Sequence, residues 1–150
     1  MKKIIAGISA LALSVICLTG CGGGKELDLT AASNTVLTSV SFAEQLQPAS
    51  EKIALKRLGV NEADVESCVA YASTNAVVDE FAIIKTTNPG NVESAIQQHV
   101  AAQIETYQSY APNEVTKLDS AIVKTAGDYV IYVVSSDNAS AQSVVDSLTK

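Results

Sequence analysis

The sequence has no tryptophan, a single histidine and three cysteines, and its basic side chains are outnumbered, ten Lys and Arg against sixteen Asp and Glu. Each shortage removes a class of function. A chain of formal net charge −6 lacks the basic face that nucleic-acid binders need, and adsorption on anionic headgroups is unfavourable for it too. One imidazole, His99, cannot complete a zinc site of three or four ligands, and a catalytic histidine needs a positioned partner. His99 is expected at the surface or boundary of a helix, and no metal or cofactor is expected. There is no G-x-S-x-G elbow, no S-x-x-K and no phosphate loop. The densest carboxylates are Asp79-Glu80 and Glu62, Asp64 and Glu66. Adjacent strand residues point to opposite faces, so Asp79 and Glu80 cannot form a facing glycosidase pair. The second group lacks the glycine and spacing of a calcium loop. Both groups read as solvated charge at a sheet edge.

What is present is concentrated at the start. Lys2 and Lys3 precede an almost unbroken apolar run over residues 4–18, closed by Leu18-Thr19-Gly20-Cys21. The run is too short to span a bilayer as a mature helix. This resembles a bacterial lipoprotein signal: a positive start, an apolar middle and small residues at the cut. Such a signal implies that Cys21 carries a diacylglyceryl thioether and becomes the first residue after cleavage. Gly22-Gly23-Gly24 then reads as a flexible spacer, and residues 21–27 as a tether reaching about 25 Å at full extension. Losing Lys2 and Lys3 takes the formal net charge from −6 to −8. Membrane contact is therefore expected from acyl chains on Cys21 alone. Cys17 leaves with the leader, so Cys68 has no disulfide partner and reads as a small buried strand residue.

The remaining 130 of 150 residues suit one domain. Asp28 is a candidate N-cap for a helix reaching Leu46, with a weak point at residues 39–42 and an end at Pro48. A second helix is expected over residues 50–58, stopped by Gly59. Strands are expected over residues 67–72 and 81–85 around Thr74-Asn75, then a long helix over residues 92–111 capped by Asn91. Its stripe is Val92, Ile96, Val100, Gln103, Tyr107 and Tyr110. Pro112 can start a further short turn to Leu118. Strands over residues 121–125 and 129–135 flank Ala126-Gly127-Asp128, and a last helix runs to Leu148 from a cap at Asp137 or Asn138. The expected order is α-α-β-β-α-β-β-α. It implies an α+β, two-layer domain with a four-stranded, mainly antiparallel sheet built from two hairpins. Tyr129 to Val134 alternates apolar residues on both faces, the mark of an interior or doubly covered strand.

Tyr107, Tyr110 and Tyr132 are the candidate partner surface, weighed against the simpler reading that the tyrosines are large core members with hydroxyls at the rim. Phe81-Ala82-Ile83-Ile84-Lys85, Tyr107-Gln108-Ser109-Tyr110-Ala111-Pro112-Asn113-Glu114, Ala121-Ile122-Val123 and Gly127-Asp128-Tyr129-Val130 carry a resemblance. Over residues 42–145 the chain resembles the uncharacterised lipoprotein family labelled domain of unknown function 4358. That resemblance implies a lipidated cysteine, a short tether and one small domain in Gram-positive bacteria. It implies no reaction and no catalytic residues. The expectation is a lipid-anchored extracytoplasmic protein with a non-enzymatic binding or accessory domain, meeting an envelope protein or cell-wall partner. The alternatives are a small carboxylate-dependent envelope hydrolase and, last, a transporter-associated solute-binding protein.

Overall fold

The computed structural model describes residues 26–74 and 77–150. The leader, Cys21, the glycine spacer and Asn75 lie outside the described residues. Asp28 does cap the first helix, α1 (Leu29–Ser39): its Oδ1 accepts from the amides of Thr30 and Ala31 at 2.9 and 3.1 Å. The helix stops at Ser39 and does not reach Leu46. The hydroxyls of Ser33, Thr35 and Thr38 bond back to carbonyls of the preceding turn, and Val40 is already extended.

Pro48 therefore ends no helix. Its restriction on Gln47 and its missing N–H suit an edge strand, and β1 (Gln47–Ala49) pairs antiparallel with β2 (Val65–Ala72). Between them lie α2 (Glu51–Leu58), stopped by Gly59 at φ 69°, and a 3₁₀ turn (Glu62–Asp64) whose Ala63 amide donates to the Asn61 side chain at 3.1 Å. β3 (Glu80–Thr86) leads into α3 (Pro89–Tyr107), which starts at Pro89 and not at Val92, because proline's fixed φ suits the first helical position. The turn at Pro112 is a two-turn helix, α4 (Pro112–Asp119). β4 (Ile122–Ala126), β5 (Tyr129–Val134) and α5 (Asn138–Leu148) follow, with Asp137 accepting from the Ser140 amide.

The described order is thus α-β-α-β-β-α-α-β-β-α, and the sheet has five strands, not four, in the order β1-β2-β3-β5-β4, antiparallel throughout. The two-layer expectation also needs correction, because helices cover both faces. Ala82, Ile84, Val130, Tyr132 and Val134 pack with residues of α2, α3 and α4 on one side. Phe81, Ile83, Ile131 and Val133 pack with α1 and α5 on the other. The cause is in the strands: β3 and β5 pair at the middle of the sheet with apolar side chains on both faces, and each face has to be shielded. Burying a side chain such as Ile83 or Val130 contributes roughly 2 kcal/mol. Phe81 also stacks on Tyr71 and Phe42, with centroids 5.1 and 6.1 Å apart. No helix among the described residues is long and apolar enough to cross a membrane.

Two glycines separate conformational need from spatial need. A Cβ at Gly59 or at Gly90 meets no atom within 4 Å, but only Gly59 sits at positive φ. Gly59→Ala is expected to cost about 1 kcal/mol. Gly90→Ala, inside α3, should be neutral or stabilising by about 0.5 kcal/mol. Urea unfolding midpoints of the two variants check this contrast.

Candidate functional site

Asp79, just ahead of β3, and Glu80, its first residue, are buried, not solvated, and β3 runs through the middle of the sheet. Each of the two side chains gathers its own partners. Glu80 enters the layer beneath α2 and α3. Its Oε1 accepts from the Tyr132 hydroxyl at 2.8 Å and from Gln103 Nε2 at 3.1 Å. His99 Nε2 lies 2.8 Å from the same oxygen and 2.7 Å from Gln103 Nε2. Oε2 pairs with the Arg57 guanidinium. Local structure explains the convergence. His99 and Gln103 are one turn apart on α3, and Tyr132 pairs with Ala82, two residues along the same face of β3 from Glu80.

Asp79 makes a second knot. Lys117 Nζ on α4 lies 2.8 Å from its Oδ1, and the Ala43 amide donates to Oδ2 at 2.5 Å. Lys117 also bonds Glu114 Oε2 at 3.0 Å, and the same oxygen takes the Val78 amide at 3.0 Å. Burial alone would lower the pKa of the Lys117 ammonium; its bonds to Asp79 and Glu114, and their charges, outweigh that and raise it. Burial raises the Tyr132 phenol well above its usual range, and the charge of Glu80 and the bond to it add to the effect. Among the described residues no buried side-chain N or O lacks a hydrogen-bond partner.

The space beside these groups is small. A recess between α2 and the sheet, lined by Arg57, Glu80, Tyr132, Ala49, Ala54 and Ala70, has room for about one water molecule. A small-molecule site generally offers about 300 Å³ or more. The arrangement can bind α2, α3, β3 and β5 together. It cannot present Glu80 as a free general base unless a partner is displaced. Among the described residues no group of three or more His, Cys, Asp and Glu is placed to hold a metal ion.

The residues singled out in the sequence fall in different places. Cys21 lies outside the described residues. Tyr132 is fully buried and drops out of the expected partner surface. Tyr110 is 59% exposed and its ring centroid lies 4.9 Å from that of half-buried Tyr107, so these two remain an accessible aromatic pair. Glu62 and Glu66 are exposed, and Asp64 is half-buried. Burial pushes the Cys68 thiol up to about 12, with the charge of Glu51 adding to it. The Glu80 cluster was missed. Its signals were Gln103 on an otherwise apolar helix stripe and a tyrosine inside a strand apolar on both faces.

Removing the carboxylate leaves four polar side chains without it, those of Tyr132, Gln103, His99 and Arg57. Glu80→Ala is expected to cost about 3 kcal/mol, the low end for a broken buried pair because Arg57 keeps 39% of its side chain exposed. Tyr132→Phe should cost about 1 kcal/mol, since Glu80 Oε1 keeps its other donors. Chemical unfolding gives both values. The folded chain also holds the Lys117 and Tyr132 protons to higher pH than the unfolded chain does. Stability should therefore fall as pH rises above about 10, and fall less steeply in Tyr132→Phe. Urea midpoints across that range test the sign.

No curated protein and no solved structure matches the chain. A family match does exist: residues 38–135 fit the domain of unknown function DUF4358. The span starts at the end of α1 and runs through β5. It therefore takes in the whole sheet, α2 to α4 and every partner of Glu80, and leaves out most of α1 and all of α5. With about two thirds of its length inside that span, the chain belongs to the DUF4358 family.

Proposed function

We propose that this chain is an exported lipoprotein, anchored by lipid on Cys21 to the outer face of the cytoplasmic membrane, and that its domain is a non-enzymatic binding or accessory module. Leu18-Thr19-Gly20-Cys21 after a charged start and an apolar run supports the address. The observation that carries the non-enzymatic reading is the closure of its buried carboxylates. Glu80 and Asp79 are each taken up by partners within the fold, and the recess beside Glu80 has no room for a substrate. The alternative, a carboxylate-dependent hydrolase, would need Glu80 freed from four side chains. A solute-binding role would need a larger cleft, and generally two lobes around it. The surface offered to an envelope protein or cell-wall partner is the Tyr107 and Tyr110 pair.

Two measurements test this. Labelled palmitate should enter the wild-type protein, and Cys21→Ala should abolish labelling and move the protein from the membrane to the soluble fraction. Unchanged membrane association of the unlabelled variant would overturn the address. Crosslinking in cells should recover an envelope partner that Tyr110→Ser loses, while turnover of cell-wall substrates that depends on Glu80 would overturn the non-enzymatic reading.

A further inference from the structure

Leu27 is where the chain joins the folded body. Its amide donates to the Tyr129 hydroxyl at 3.1 Å, and Glu26 Oε1 lies 3.3 Å from Lys85 Nζ. Lys85 and Tyr129 are register partners, at the end of the sheet where β3 finishes and β5 begins. The β4–β5 turn, Gly127-Asp128, lies at this same end, as does the start of β2, where Val65 pairs with Thr86. Four residues separate Cys21 from Glu26, so the two Cα atoms are at most about 18 Å apart.

α3 starts at this end and leaves it. Near its beginning Glu93 accepts from Thr125 Oγ1 on β4 at 2.6 Å. Farther along, Gln103 reaches Glu80, at the opposite end of β3. Tyr107 closes the 19-residue helix, which is about 28 Å long. Tyr110 and the start of α4 lie beyond it, where Glu114 takes the Val78 amide just ahead of β3.

We infer that the domain stands end-on to the membrane, with the Lys85, Tyr129 and Gly127-Asp128 end toward the bilayer and the Tyr107–Tyr110 end turned away. The inference rests on the lipid anchor at Cys21 proposed above. The near end carries Glu26, Asp64, Glu66 and Asp128 against Lys85 and the tether's Lys25, still an acidic balance, so it gains nothing from anionic headgroups. The tether holds this end close, and charge does not glue it down. A short spacer attached at one end of an elongated helix and sheet leaves the far end as the surface presented to the rest of the envelope.

The test uses the mature chain coupled through Cys21 to a maleimide lipid, in phosphatidylcholine nanodiscs carrying a gadolinium-chelate lipid. The Cys68 thiol, pushed up to about 12, stays out of the coupling at neutral pH, and Cys68→Ala is the control. Amide relaxation of Glu66, Gly127 and Asp128 should be enhanced about tenfold or more over that of Tyr110 and Glu114, given the reach of the tether and the length of α3. Equal enhancement at both ends, or the reverse order, would overturn the orientation. Because the coupling is chemical, failure of palmitate to enter the cell-made protein would remove the natural anchor without altering this result.

Discussion

One buried carboxylate ties the domain together. Glu80 belongs to β3, and its two oxygens take groups from α2, α3 and β5. A charge in that position is tolerable only while every acceptor site is filled, because taking it out of water costs several kcal/mol. The cost makes the arrangement demanding. α3 has to lie with His99 and Gln103 toward the sheet, α2 has to bring Arg57 to the same point, and β5 has to keep the register that places Tyr132 over Ala82. An apolar residue at position 80 would impose none of these conditions. Asp79 does the same for α4 and the segment after α1, through Lys117 and the Ala43 amide. Two adjacent residues, Asp79 just ahead of β3 and Glu80 at its start, thereby tie helices and loops to the central strand.

The same strand pair accounts for the layering. β3 and β5 are apolar on both faces and lie side by side, so neither face can be left wet. α2 to α4 cover one face and α1 with α5 the other. The DUF4358 match spans the sheet and the first of these layers, together with the whole Glu80 cluster. A domain whose two buried carboxylates, Asp79 and Glu80, are taken up by partners within the fold, and which exposes an aromatic pair at one end, fits the proposal of a binding or accessory module better than that of an enzyme.

Some element boundaries enforced by a single residue were legible, though not the start of α3 at Pro89. Asp28, Gly59, Pro112 and Asp137 all sit where capping, left-handed backbone or a fixed φ demands. The misreadings have a common origin. Gln47–Ala49 is too short to show alternation, and it is a strand only because Ala70 to Ala72 stand opposite it. Asp79-Glu80 looked like surface charge, because charge in isolation belongs in water. Tyr132 looked available to a partner because nothing near it in sequence says which way its hydroxyl points.

The chain order by itself supplied the Leu18-Thr19-Gly20-Cys21 run on which the proposed anchor rests, the absence of a histidine or cysteine constellation, and most helices and strands. These depend on short-range geometry, on composition and on backbone restrictions that act within a few residues. Tertiary structure alone decided the burial of Glu80 and its pairing with residues 19, 23 and 52 positions away. It also decided the fifth strand and the covering of both sheet faces. Each of these is a contact between distant segments. Its stability comes from desolvating one group against another, and no local pattern records that.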